Sequence, residues 1–313
     1  MFLITGATGF VGKALLERLL ADNMAQRFIV AVRRSGQRWP EKVLPIVKGD
    51  MNSTTEWSSA LKGVSVVVHC AARAHVMNDN AADPLVAFIT VNVDGTLNLA
   101  KQAAAAGVKR FVFISSVKVN GEFTSSGRAF TEVDVPKPQD AYGQSKHQAE
   151  EGLRQLSVDT GMEVVIIRPP LVYGPGVKAN FAALMRVVQR GWPLPLGAIH
   201  NQRSLVALDN LVDFIVTCIS YPQAANQTFL VSDGQDLSTT ELVRGIAQAA
   251  GVPTRFMPAP VWALQAGATL LGKGDVVQRL CGNLQVDISK ARSFLAWVPP
   301  LSVEEGLKRA MSV

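Results

Sequence analysis

The first dozen residues constrain the chain most. Phe2-Leu-Ile-Thr5 is a short apolar run closed at once by glycine, and Gly6, Gly9 and Gly12 then stand three apart. A run of four residues is too short for a core helix, so it reads as a buried strand. Beyond the glycines, Leu15, Leu16, Leu19 and Leu20 fall on one helical stripe. A strand, a glycine turn and a helix in that order form the opening of a dinucleotide-binding unit. The glycines serve a tight turn, a close approach to a pyrophosphate and close contact of helix with strand. The helix start then offers its free N–H groups to the anion. Gly6, Thr8, Gly9, Phe10, Val11 and Gly12 are therefore the expected cradle of a cofactor.

The pattern repeats downstream. Arg27 to Val32, Val43 to Lys48, Val64 to His69, Phe111 to Ile114 and Glu163 to Ile167 are strand-length apolar runs with helical segments between most of them. Ser53-Thr-Thr-Glu56 reads as a capping box opening a short helix that ends at Gly63. Asp83-Pro84 reads as the start of a long helical segment running to Gly107. Such alternation predicts an α/β fold, a Rossmann-like doubly wound parallel sheet with its strand ends on one edge. At the end of the second strand, where an acid would bind the ribose 2′-hydroxyl of NAD, stand Arg33 and Arg34. Two arginines favour the 2′-phosphate of NADP(H), with NAD(H) the alternative.

Composition limits the options. With 313 residues, 48% hydrophobic and 18% charged, the chain can bury a sizeable core. Cys70, Cys218 and Cys281 are far apart and odd in number, so neither a disulfide framework nor a zinc site is expected. His75, His147 and His200 show no ligand spacing, and no metal is expected. No basic leader and no run of about 18 apolar residues is present, which predicts a cytoplasmic protein without a membrane span. The net charge of +6 is scattered, with no basic stripe bearing aromatics, so nucleic acid is not an expected partner.

The reactive residues follow the fifth strand. Ser115 and Ser116 stand at its end, and Tyr142 and Lys146 lie four apart on an apolar-striped helix, one turn apart on the same face. A phenol with a reference pKa of about 10 becomes a usable base when an ammonium and a cationic nicotinamide favour its phenolate. Lys146 is placed to help while also holding ribose hydroxyls.

Taken together, Thr5-Gly-Ala-Thr-Gly-Phe-Val-Gly12, His69-Cys-Ala-Ala72, Asn92-Val-Asp-Gly-Thr96, Ser115-Ser116, Tyr142-xxx-Lys146 and Arg168-Pro-Pro-Leu-Val-Tyr-Gly-Pro-Gly176 resemble the extended short-chain dehydrogenase/reductases, the nucleotide-sugar epimerases, dehydratases and reductases. The resemblance implies that Ser116 holds the substrate oxygen, that Tyr142 is the general acid/base, and that Lys146 binds ribose. It places Asp50 and Met51 at the adenine, and Ala71, Ala72, Asn92 and Pro169 along the cofactor. A homodimer is a family expectation. Two positions depart from the pattern. The acid pair that 4,6-dehydratases carry after the serine is Val117 and Lys118 here, which excludes that chemistry. Asn120 replaces a tyrosine found in many relatives.

Past residue 170, Pro, Gly and Trp become dense, as in Gly191-Trp-Pro-Leu-Pro-Leu-Gly197. The reading assigns 1–170 plus about 205–232 to the cofactor domain, and 171–204 plus 233–313 to a substrate domain. Ser238-Thr-Thr-Glu241 is a second capping box. Val261 to Leu271 reads as a packed helix or subunit contact, and Trp297 and Val303 to Met311 as core. The resemblance places Asn180, Arg203 and Arg279 at the diphosphate of a UDP-sugar. It points to oxidation or reduction at C4 of a UDP-hexose, by a net 4-ketoreductase of the UDP-4-keto-6-deoxy-hexosamine type or by a 4-epimerase. A non-catalytic NADP(H) sensor on the same fold is the reading from another class, and such proteins usually lack the tyrosine and lysine that are present here.

Overall fold

The computed structural model describes residues 1–25, 27–74, 84–257, 259–270 and 274–312. β1 (Phe2–Thr5) leads through the glycine turn into α1 (Phe10–Ala21), followed by β2 (Phe28–Val32) and β3 (Val43–Val47). After α2 (Ser58–Leu61) come β4 (Val66–His69), α3 (Pro84–Ile89), a π-helical turn at Thr90–Gly95 and α4 (Thr96–Ala105). β5 (Arg110–Ile114) ends in a 3-10 turn at Val117–Val119, and α5 (Ala141–Thr160) returns to β6 (Glu163–Arg168). β7 (Leu171–Tyr173), α6 (Ala179–Gln189), β8 (Leu205–Ala207), α7 (Leu208–Ser220) and β9 (Thr228–Leu230) come next. The chain closes with α8 (Thr239–Ala249), α9 (Val261–Leu270), α10 (Gly274–Cys281), α11 (Ser289–Leu295) and α12 (Val303–Met311).

Seven strands form one parallel sheet in the order β3-β2-β1-β4-β5-β6-β9. The order reverses at β1, and β1 and β4 lie side by side with Thr5 opposite His69. A ligand crevice is expected outside the carboxyl ends of the strands at such a point. Alternate residues of each strand enter opposite cores. Ile4, Val68 and Val112 pack with Leu15 and Leu19 of α1 and Phe214 of α7. Leu3, Val67 and Phe111 pack with Leu99 of α4 and Leu153 of α5. A third core joins Phe181 of α6, Val243 and Ile246 of α8 and Leu307 of α12.

The chain leaves the main sheet after β6 and returns to it at β9. β8 pairs with β7 in a separate two-stranded sheet, while β9 completes the edge of the main sheet beside β6. The capping box read at Ser53–Glu56 does not form. The Glu56 carboxylate instead accepts from Ser58 N at 2.7 Å, and Asn52 Oδ1 accepts from Thr54 N at 2.8 Å. The buried Trp57 fixes the chain here, so the helix begins one residue past it. The box at Ser238–Glu241 does form, and so does an unanticipated one at Ser302–Glu305. Trp297 and α12 are core elements. Asp83, His75 and Leu271 lie outside the described residues.

Candidate active site

The glycine turn is shaped by sterics. Gly6 has φ 69°, and a Cβ on it would stand 2.7 Å from Ala71 N, so β1 and the end of β4 close together only over glycine. A Cβ on Gly12 would meet Gly6 O at 2.3 Å, which lets α1 press onto the turn. Gly9 occupies the N-cap of α1 and supplies no side-chain cap, and the first turn holds no acid. These free N–H groups suit a pyrophosphate, and Ala71 and Ala72 present small side chains beside them. Arg33 and Arg34 are exposed at the end of β2, and Arg33 faces Asp50 at 4.0 Å. Met51 packs against the π-helical turn at Gly95.

Below this cradle lies a buried polar ladder. Thr5 Oγ1 and His69 Nδ1 are 2.7 Å apart, His69 Nε2 and Thr96 Oγ1 2.9 Å apart, and Ala71 N donates to Thr5 Oγ1 at 3.2 Å. Burial, then the Lys146 charge, lowers His69 from 6.5 to about 3, so it is a neutral strut. Asn92, expected at the cofactor, is buried in the π-helical turn. Its amide accepts from Arg73 N at 2.8 Å and donates to Arg73 O and to Ser145 Oγ. It holds the segment after β4 against α5, a positioning role the spacing does not reveal.

At the end of β5 the two serines divide. Ser115 is buried and donates to Glu150 Oε1 at 2.6 Å, while Ser116 is partly exposed and accepts from Lys118 N at 3.2 Å. Lys146 Nζ donates to Ile114 O at 2.7 Å and lies 5.9 Å from the centre of the Tyr142 ring. This ties the Tyr142 face of α5 to the strand end that carries Ser116. Val117 N donates to Pro169 O at 3.0 Å, joining the loops after β5 and β6. Burial lowers Lys146 to about 8, against the opposing pull of Cys70 and Glu150. Tyr142 moves the other way. Burial first, then the Asp140 carboxylate, pushes its hydroxyl above the ordinary value.

Sequence reading assigned no role to the charged network behind these groups. Glu150 accepts from Arg168 Nε at 2.9 Å and Nη2 at 2.6 Å, and Arg168 Nη1 donates to Asn120 Oδ1 at 2.9 Å. Burial alone would raise Glu150, but the Arg168 fork holds it below its ordinary value. Asn120 completes the network by donating to Thr131 O at 2.9 Å, which accounts for an amide in place of a tyrosine. Spacing carried a signal: Tyr142, Lys146 and Glu150 recur every four residues on one face of α5.

In the second half, Arg203 and Arg279 come together, but Arg203 Nη1 donates to Arg279 O at 2.9 Å and Gly282 O at 3.0 Å. Arg203 thus secures the end of α10, while Arg279 and Asn180 are exposed. Among the described residues no group of His, Cys, Asp or Glu could hold a metal, and no helix is long and apolar enough to cross a membrane.

Over 98% of its length and 93% of the relative, the chain is 53% identical to a UDP-glucose 4-epimerase of Vibrio cholerae. It is 28% identical, over 99% of its length and 93% of the relative, to the N-acetyl-α-D-glucosaminyl-diphospho-ditrans,octacis-undecaprenol 4-epimerase of Escherichia coli O157:H7. The fold matches that of UDP-glucose 4-epimerase from Thermotoga maritima with TM-score 0.77 at 22% identity, covering 99% of this chain and 97% of that one. The family model described as the NAD dependent epimerase/dehydratase family matches residues 2–232. The protein is therefore an enzyme of the extended short-chain dehydrogenase/reductase fold, and it belongs to the NAD dependent epimerase/dehydratase family.

Proposed function

We propose that the protein is a 4-epimerase of a UDP-linked hexose, of the UDP-glucose or UDP-N-acetylglucosamine type. The observation that carries this reading is the 53% identity, over nearly the whole chain, to a UDP-glucose 4-epimerase. It supports the 4-epimerase over the net 4-ketoreductase to which the two arginines point. The uncapped start of α1 and the glycine cradle fit a dinucleotide, and NAD(H) is the form proposed, in keeping with the family's dependence. When bound, its nicotinamide supplies hydride exchange with C4 of the hexose.

The chain's own residues supply the rest. Tyr142 takes the proton from the C4 hydroxyl and later returns it to the C4 oxygen, and Ser116 donates a hydrogen bond to that oxygen as charge develops. Lys146, fixed by Ile114 O, orients the ribose and faces the tyrosine ring. Asn180 and Arg279 are exposed in the second half, and with Arg203 they are the proposed diphosphate contacts. The protein works as a homodimer in this reading, with the cofactor and substrate domains interleaved as 1–170 plus 205–232 and 171–204 plus 233–313.

A second reading, the 4-ketoreductase using NADPH, is favoured by the exposed Arg33 and Arg34 at the end of β2. One experiment separates the two. Purified protein is incubated with UDP-glucose or UDP-N-acetylglucosamine, and in parallel with a UDP-4-keto-6-deoxy-hexosamine plus NADPH. Interconversion with the galacto form without cofactor consumption supports the epimerase. Stoichiometric NADPH oxidation with the keto-sugar alone replaces it with the reductase.

A further inference from the structure

Lys118 stands two residues past Ser116, in the 3-10 turn that follows β5. Its ammonium lies 3.0 Å from Glu122 Oε1 and also bonds the Asp140 carboxylate. Asp140 is the N-cap of α5: its Oδ1 accepts from Gly143 N at 2.7 Å, and Tyr142 lies between the cap and that glycine. The backbone closes on the same turn, since a Cβ on Gly143 would stand 2.9 Å from Lys118 O. The loop that carries Ser116 and the helix turn that carries Tyr142 are thus joined by one lysine–aspartate pair.

Asp140 caps the helix but sets a negative charge two residues from a hydroxyl that must ionise. Its charge adds to burial in raising Tyr142. Other groups around the tyrosine act differently. Lys146 faces the ring from the next turn of α5, and from α3 Phe88 meets the ring edge-on at 6.1 Å with the Arg73 guanidinium over Phe88. Cys70, at the end of β4, acts on Lys146, and Glu122 lies behind Lys118. Among the described residues, Lys118 is the cation bonded to the carboxylate that opposes the phenolate.

We propose that Lys118 is a positioning residue for Tyr142, which pairs with Asp140 and offsets part of that carboxylate's repulsion of the phenolate. The pair also locks the Ser116 loop to the start of α5. The proposal rests on Tyr142 being the proton-transfer group of the reaction proposed above. It gives a function to the position where dehydratases carry an acid: a cation there serves the tyrosine instead of the sugar.

The test uses a readout that needs no substrate. The chain has three tyrosines, Tyr142, Tyr173 and Tyr221, so ¹³C-tyrosine NMR of the protein loaded with oxidised cofactor follows each ring once Tyr→Phe variants assign it. Lys118→Met is expected to raise the Tyr142 midpoint by about one pH unit or more, as a newly unpaired like charge does. The alkaline limb of the pH–rate profile moves with it. Lys118→Arg keeps both near the wild-type position. Asp140→Asn retains the cap, because asparagine serves there equally well. Alone it lowers the midpoint, and combined with Lys118→Met it reverses the upward shift. A Tyr142 midpoint unmoved in Lys118→Met and in Asp140→Asn would overturn the proposal, even if both variants lose rate. Shifts seen by NMR in a protein inactive on UDP-hexoses would uphold the electrostatic link and overturn only the assigned substrate.

Discussion

Tyr142, Lys146 and Glu150 divide one helical face between chemistry and support. Tyr142→Phe is expected to lower the rate by about 10²–10⁴-fold while leaving cofactor retention intact; steady-state assay beside the absorbance of released cofactor checks both, and a sensor would keep its function. Arg168→Met removes the fork from the buried Glu150 carboxylate and leaves it only Arg154 at 2.7 Å and Ser115 at 2.6 Å, which is expected to cost about 3 kcal/mol in urea unfolding. His69 adds a pH term. Folded, it stays neutral down to about 3, whereas the unfolded chain takes up a proton near 6.5. Its contribution is therefore complete above 6.5 and declines as pH falls toward 3, by about 2 kcal/mol at pH 5. Denaturation midpoints at pH 7 and pH 5 are expected to show a shallower loss in His69→Gln. Tyr142 and Lys146 were legible because their spacing implies a shared face. Glu150, Arg168 and Asn120 were not given roles, because partners 18 and 48 residues apart meet only in the folded chain.

At the level of elements, the glycine turn and α1 act as one device. Gly12→Ala drives a methyl against Gly6 O, so α1 must withdraw from the turn; weaker cofactor binding and a lower melting temperature are expected, read by calorimetry with and without added NAD. A milder change elsewhere on α1, such as Lys13→Ala, leaves both in place. The sequence made this element plain because glycine spacing, strand length and helical stripe all agree. Ser53–Glu56 shows the opposite. The four-residue signature of a capping box is present, but the buried Trp57 sets where the helix begins, a tertiary effect that local pattern does not carry. At Ser302–Glu305 the same signature went unread and does form a box. The sequence spacing reads Thr90–Gly95 only as helix; in the fold it is a π-helical turn whose Asn92 bonds Arg73 and Ser145, partners that local pattern does not supply.

For the whole molecule, the sheet order follows from alternating strands and helices, and the β1–β4 switch point, where a ligand crevice is expected, follows from the order. The second half was less legible. β8 leaves the main sheet to pair with β7, and α10 ends on Arg203, contacts that join segments far apart in sequence. In the proposed reading the protein oxidises and re-reduces C4 of one bound hexose. The most direct measurement follows UDP-glucose deuterated at C4 through the purified protein with no cofactor added, by NMR and mass spectrometry. The epimerase reading predicts UDP-galactose that keeps the deuterium at C4, or the same result with the N-acetyl sugars. Product that has lost the C4 label, or no epimer from either sugar, would contradict it.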